Sequence, residues 1–235
     1  MSHAFEGMNA RGPFIGTRKP SLVPVASSRK VTVLFDEEAG ALIIAKGFAG
    51  FDDADCLAAL DAMEQAEGWV WDGRLRYIVF DLAHERAKEP PRPSHFDPLL
   101  YAYANLILRA PVISLAIARG DLSGSDLEIA LASNAIIASS TARVTLPRSL
   151  DGVSGRLLAG KMRQDRALAL MERGASHAAS DLVSERLVAE VHEPGNTLAK
   201  ARHWMHMTSR KHNAAYLIYR AQRVVNPVRW SALTR

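Results

Sequence analysis

The sequence predicts an α/β fold with a largely parallel sheet. Short apolar runs with the length of buried strands alternate with longer stretches in which apolar residues recur at helical spacing. Aromatic residues make up only 7% of the chain, which favours helices packed on a sheet over an all-β sandwich. The 235 residues, 48% of them hydrophobic, suit one globular domain with a sizeable core. Strands that alternate with helices form crossover units, and such strands run parallel.

The first elements predict a hairpin followed by a helix. The β-prone runs Val31–Phe35 and Ala41–Ala45 are separated by a few turn-prone residues. The next stretch has helical periodicity, with Asp53 or Asp55 as its expected cap and an end near Gly68.

The middle of the chain alternates strands and helices. Residues 83–98 contain four prolines and are expected to lack regular structure. The chain from Gln164 onward is predicted to be mostly helical. In chain order, the expected central elements are a strand, a helix, a strand, a helix and a strand, at Tyr77–Leu82, Leu99–Leu108, Pro111–Ile117, Ser125–Ala132 and Ala135–Ala138.

Composition divides the chain into three parts. Residues 1–29 are rich in aperiodic glycine and proline and predict a flexible arm, residues 30–193 predict the core, and residues 194–235 predict a helical basic segment. Eight of the 29 basic residues lie in the last part, which has no acidic residue, so 21 basic and 25 acidic groups remain in the rest. Such a segment can bind an acidic surface of a neighbouring subunit, a protein partner, phosphate or RNA. The alternative interpretation is a face that is exposed to solvent.

Several function classes find no support in the sequence. His203 and His206 lack neighbouring acidic or cysteine ligands, so no metal site is predicted. No phosphate-binding loop, dinucleotide fingerprint or nucleophile elbow occurs. The single Cys56 cannot form an internal disulfide and is interpreted as a packing residue. The sequence has no signal-like apolar region, and no apolar run approaches the roughly 20 residues that span a bilayer. We therefore expect a cytoplasmic protein without a membrane partner.

The stretch from Ala110 to Asn134 resembles the central signature of the crotonase (enoyl-CoA hydratase/isomerase) superfamily. In that family a strand like KPVIAAVNG runs into a glycine-triplet turn and then into a helix like xELALACD. Further matches follow in order. Ala142–Pro147 resembles ARFGLPE, Leu150–Leu157 resembles a shortened LGxxPGxGGTxRL segment, and Met171–Val191 fits LLTGxxxxAxxAxxxGLVxxVV. The resemblance covers roughly residues 30–215. It implies a crotonase-like (ClpP/crotonase) fold, with a ββα spiral core and a helical C-terminal segment.

The resemblance implies an oxyanion hole, in which two backbone N–H groups bind the thioester oxygen of an acyl-CoA and stabilise an enolate. Ser125 occupies the position of one donor, at the N-terminus of the central helix. The glycine triplet keeps Gly124 but carries Ser125 and Asp126 next, which places an acidic side chain near the expected oxyanion. The loop of the other donor corresponds to Ala83–Pro93 and does not match the family pattern, and the family's early CoA-cradling stretch is compressed to Gly47–Phe51.

Three positions bear on acid–base chemistry. Glu128 aligns with one of the two hydratase glutamates, and Arg148 stands where the other would be. Glu128 is therefore either a catalytic acid–base group or a buried glutamate paired with an arginine, for which Arg148 is the candidate. Asp151 lies in a stretch that resembles the SFDGG segment of the naphthoate-synthase branch, where the aspartate is catalytic, and its alternative interpretation is a turn.

Two functions remain open on these grounds. The first is a divergent acyl-CoA hydratase, isomerase or related lyase, in which Ser125 gives the oxyanion donor and Glu128 with Asp151 does the acid–base work. It needs no cofactor, and acyl-CoA is its substrate. The second is a catalytically inactive crotonase-fold protein that binds a protein or RNA through its basic C-terminal segment. Either protein is expected to be a homo-oligomer, a trimer or hexamer, as the resemblance implies.

Overall fold

The computed structural model describes residues 22–27, 31–47, 50–82, 92–110 and 112–209. Within these ranges the chain forms nine strands and seven helices. In chain order they are β1 (Leu22–Ser27), β2 (Val31–Asp36), β3 (Ala41–Lys46), α1 (Asp53–Trp71), β4 (Tyr77–Leu82), α2 (Phe96–Arg109), β5 (Ile113–Ala118), α3 (Gly124–Ala132), β6 (Ala135–Ser139), β7 (Arg143–Thr145), α4 (Val153–Met162), α5 (Gln164–Glu172), β8 (Ser176–Ala178), α6 (Asp181–Ser184), β9 (Glu190–His192) and α7 (Thr197–Ser209).

Seven strands form one sheet in the order β1-β2-β3-β4-β5-β6-β9. The pairs β1–β2 and β2–β3 are antiparallel, whereas every following pair is parallel. The predicted hairpin and the predicted parallel sheet are therefore confirmed. Strands β7 and β8 form a separate antiparallel pair.

Helices cover both faces of this sheet. On β4, Ile78 and Phe80 face the larger core, to which α1 to α5 contribute, whereas Tyr77 and Val79 face the smaller core under α7. The Tyr77 hydroxyl donates a hydrogen bond to the backbone oxygen of Met205 at 2.9 Å and so fastens α7 to the sheet. Because the central strands are buried on both faces, they are continuous apolar runs in sequence. Within the described residues, no helix combines the length and the hydropathy needed to cross a membrane.

The segment predicted as a flexible arm contains a strand. β1 pairs with β2 from Leu22 opposite Asp36 to Ser27 opposite Thr32, with a register shift between Pro24 and Ala26. Proline lacks the N–H group that a central strand needs, but an outer strand tolerates it. Pro24 therefore makes the strand hard to recognise in the sequence without preventing it. The rest of the arm, residues 1–21 and 28–29, lies outside the described residues.

Two helices begin elsewhere than predicted. Helix α1 is capped by Asp52, whose Oδ1 accepts from the Asp55 backbone N–H at 2.9 Å, while Asp55 Oδ2 accepts from the Asp52 backbone N–H at 3.0 Å. This reciprocal capping satisfies two N–H groups at once. Helix α2 begins at Phe96, so Pro98 falls in its first turn, where the missing N–H has no helical partner to lose.

Candidate active site

The N-terminus of α3 lies at the end of the central strand β5. Ser123 precedes the helix, and Gly124 has φ +49°, a conformation that residues with a side chain rarely adopt. Ser125 lies in the first turn and is 6% exposed. The first N–H groups of a helix have no intrahelical acceptor and carry partial positive charge, so this turn suits a developing oxyanion.

Asp126 does not present an uncompensated charge to this turn. Its Oδ1 forms an ion pair with Nζ of Lys46, the last residue of β3, and its Oδ2 accepts from the Gly50 backbone N–H at 3.3 Å. The Lys46 side chain is 0% exposed, and its Nζ lies 3.7 Å from the centroid of the Phe51 ring. Burial lowers the pKa of Lys46, against the opposing effect of Asp126. The ion pair thus ties the end of β3 to the first turn of α3.

Glu128 lies one turn into α3 and is 4% exposed. Its Oε2 accepts from Arg92 Nη1 at 2.7 Å, and its Oε1 accepts from Ser154 Oγ at 2.7 Å. Arg92 precedes α2 and Ser154 lies in the first turn of α4, so three parts of the chain meet at this carboxylate. The predicted partner Arg148 is exposed, and Arg92 makes the ion pair instead.

Arg92 forms the outer side of this cluster. Its side chain is 40% exposed, whereas that of Glu128 is 6% exposed. Its Nε and Nη2 atoms donate to Asp97 Oδ1, the former at 3.2 Å, and its guanidinium lies 4.8 Å from the centroid of the Phe96 ring. This role was not predictable from the sequence, because Arg92 lies between prolines in the stretch that departs from the family pattern.

Asp151 lies in the turn before α4. It is exposed, its Oδ2 accepts from Ser149 Oγ at 2.7 Å, and its backbone N–H donates to the same hydroxyl at 3.1 Å. Such reciprocal bonding is typical of a polar turn.

The turn of Asp151 packs closely against α4 at Gly155. A Cβ atom on Gly155 would lie 2.2 Å from the Ser149 backbone oxygen and 2.4 Å from the Leu150 Cα. Only a glycine allows this approach, which also places Ser154 beside Glu128.

Gly155→Ala is therefore expected to lower the free energy of unfolding by about 1–3 kcal/mol, because backbone atoms must move. Gly160→Ala is the control, since its Cβ would meet no atom within 4 Å in the same helix. The control should be neutral or stabilising by up to about 1 kcal/mol. Urea unfolding of both variants checks the pair, and equal effects would contradict the close approach at Gly155.

A further ion pair joins the ends of β4 and β5, from which the two expected oxyanion loops emerge. Arg119 Nε lies 2.7 Å from Asp81 Oδ1, but without the alignment of a hydrogen bond. The Asp81 side chain is 5% exposed. Burial raises the pKa of Asp81 to about 6, although Arg119 and Arg202 act in the opposite direction.

This pKa predicts a pH dependence of stability. Folded Asp81 binds its proton more tightly than the unfolded chain does, so its contribution is fully present below pH about 4 and is lost as the pH rises through about 6. The loss is at most about 3 kcal/mol. Asp81→Asn should remove this slope from urea unfolding free energies measured between pH 4 and pH 7, whereas Asp165→Asn, at an exposed carboxylate, should retain it. A wild-type slope that persists in Asp81→Asn would contradict the assignment.

Other predicted features lie partly outside the described residues. These are residues 83–91, which form most of the segment in place of the other oxyanion loop, and residues 48–49 of the compressed stretch.

Cys56 is buried in the core, and burial raises its pKa to about 12, which agrees with a packing role. Among the residues that the structure describes, no group of three or more His, Cys, Asp or Glu side chains could hold a metal ion.

Comparison with known proteins gives the fold. No family model and no curated protein matches the sequence. An enoyl-CoA hydratase structure from Mycobacterium avium subsp. paratuberculosis K-10 matches with a TM-score of 0.67 at 17% identity, over 89% of this chain and 90% of that chain. One from Geobacillus kaustophilus HTA426 matches with a TM-score of 0.64 at 19% identity, over 85% and 82%. An enoyl-CoA hydratase/isomerase structure from Cupriavidus metallidurans CH34 matches with a TM-score of 0.63 at 16% identity, over 92% and 85%.

The predicted crotonase-like fold is therefore confirmed. The matches cover most of both chains, and their low identity is that of a divergent sequence on a shared fold.

Proposed function

We propose that this protein acts on the thioester of an acyl-CoA, stabilising an enolate at the first turn of α3 and using Glu128 as its acid–base group. The observation that carries the proposal is the placement of Ser125 and Glu128 three residues apart at the start of one buried helix. Residues at this spacing lie on the same side of a helix, so a substrate held at the first turn lies near the carboxylate. The enoyl-CoA hydratases that share the fold support a thioester as the substrate class.

The proposed reaction is proton transfer at the carbon next to the thioester. Glu128 takes the α-proton, the electron pair moves onto the thioester oxygen, and the N–H groups of α3 stabilise the resulting enolate. The same carboxyl group then returns a proton to carbon. One carboxyl group suffices for this exchange or for double-bond migration, whereas hydration needs a second acid where Arg148 stands.

Each Glu128 oxygen already accepts one hydrogen bond and keeps a second lone pair, so a substrate proton reaches the carboxylate more easily if one of the two donors moves aside. Arg92 is the donor that moves in this proposal, because its side chain is 40% exposed, whereas Ser154 lies on a helix packed beside α3.

The two hydrogen bonds that Glu128 already accepts also favour a second candidate, a catalytically inactive crotonase-fold protein. In that protein the Arg92–Glu128 and Lys46–Asp126 pairs are purely structural, and residues 194–235 bind a protein or RNA partner. Helix α7 already packs against its own sheet through Ala201 and Met205, and residues 210–235 lie outside the described residues. Assembly into a trimer or hexamer is compatible with either candidate.

Deuterium incorporation separates the two candidates. Butyryl-CoA incubated with the protein in D₂O should gain deuterium at the α-carbon faster than without protein, as followed by mass spectrometry. Hydration of crotonyl-CoA should stay at least about 100-fold below ordinary hydratase rates. Absence of both exchange and thioester binding would support the inactive protein, and hydration at ordinary rates would overturn the one-carboxyl mechanism.

A further inference from the structure

We propose that Arg92 makes this site selective for acyl-CoA thioesters whose acyl chain carries a free carboxylate. The inference rests on the proposed function, and it names a substrate class for the same site.

The first reason is the position of Arg92 at the border between Glu128 and solvent. Its guanidinium bonds the buried Glu128 carboxylate at 2.7 Å while 40% of the side chain remains exposed. A ligand that approaches Glu128 from solvent therefore meets this cation. The planar fork of arginine matches a carboxylate, with which it forms two parallel hydrogen bonds.

The second reason is that the outer partner of Arg92 is easily exchanged. Asp97 is 54% exposed and accepts from Nε and Nη2. Ion pairs between exposed side chains contribute little to stability, so a ligand carboxylate can take the place of Asp97 at small cost. The guanidinium has five N–H donors, which leaves room for a ligand beside the existing contacts.

The third reason is that binding of a ligand carboxylate by Arg92 affects the access of the substrate to Glu128. Arg92 lies on the solvent side of Glu128, so a substrate reaches the Glu128 carboxylate more easily when Arg92 shifts outward. A carboxylate on the acyl chain gives Arg92 a replacement partner at that moment. A neutral acyl chain leaves Asp97 as the outer partner of Arg92 and draws Arg92 less strongly away from Glu128.

Paired thioesters of equal chain length test the inference in the full-length protein. Glutaryl-CoA and pentanoyl-CoA differ in the terminal carboxylate, and α-deuteration is measured for both. We expect glutaryl-CoA to have the higher kcat/KM. Arg92→Gln should raise the KM of glutaryl-CoA by about 10- to 100-fold, as expected for loss of a charged hydrogen-bonded pair, whereas exchange of pentanoyl-CoA should rise, because the Arg92–Glu128 ion pair no longer opposes it. Arg92→Lys should lose less, and Arg166→Gln, at an exposed arginine of α5, should match the wild type.

The outcomes separate this inference from the proposed function. Equal rates for the two thioesters would overturn the selectivity while leaving the function intact, and no exchange with either would overturn the function. A parallel loss for both thioesters in Arg92→Gln would make Arg92 a positioning residue for Glu128 and contradict the inference. Calorimetry with free CoA completes the test, because an equally Arg92-dependent affinity would assign the arginine to a CoA phosphate instead.

Discussion

Asp126→Ala is expected to destabilise the protein by about 3–5 kcal/mol, because it leaves the Lys46 ammonium buried without its counterion. Lys46 is 0% exposed at its side chain, and the aromatic ring of Phe51, 3.7 Å from Nζ, does not replace a carboxylate. Lys46→Met should have a similar cost, since it leaves the Asp126 carboxylate buried. The double variant removes both charges and should lose much less than the two single losses added together.

Urea unfolding of these four proteins at one pH gives the coupling between the two side chains. The exposed pair Arg163–Asp165 provides the control, with side chains 77% and 65% exposed. Asp165→Ala should change the free energy of unfolding by no more than about 1 kcal/mol. Strict additivity of the Lys46 and Asp126 effects would contradict a buried ion pair at the start of α3.

Glu128→Gln is expected to slow α-proton exchange of an acyl-CoA by about 100- to 10,000-fold, the usual contribution of a positioned acid–base group. The amide keeps the shape of the side chain and an oxygen that accepts a hydrogen bond, so the fold should persist. Exchange is followed in D₂O by mass spectrometry, with circular dichroism to verify folding. Glu172→Gln, on the exposed side of α5, is the control and should retain wild-type exchange.

Asp151→Asn, measured in the same assay, decides between the two interpretations of Asp151. A small change would agree with its hydrogen bond to Ser149 and a turn. A loss as large as that of Glu128→Gln would make Asp151 a second acid–base group. Full exchange in Glu128→Gln would refute the assignment of Glu128 as the base.

The strands of the sheet were predictable, because strands buried on both faces consist mostly of apolar residues. Tyr77–Leu82 is buried along its whole length, so the strand appears in the sequence as a run that is apolar except for Asp81, with the observed boundaries. The start of α3 was similarly evident, since its turn and helix keep the order of the family signature. Prolines caused the two clearest errors: Pro24 lies within β1 and Pro98 within the first turn of α2, both positions where a missing N–H is tolerated.

The contacts of the candidate site were harder to predict, because they join residues distant in sequence. Arg92 and Glu128 are 36 residues apart, and Lys46 and Asp126 are 80 apart. Lys46 follows an apolar run, where a lysine is ordinarily expected to be the solvated end of a strand. Only the three-dimensional fold brings it beneath the first turn of α3, opposite an aspartate that occupies a glycine position of the family signature.

The register shift beside Pro24 affects how copies of this protein can meet. β1 is the outermost strand of the sheet within the described residues, and its unpaired backbone edge is the place where another chain would add a strand. An irregular strand with a missing N–H group is a poor template for such addition, so fibril-like growth along this edge is disfavoured. Strand addition at β1 is therefore a less favourable contact between copies than packing of side chains on helices and loops.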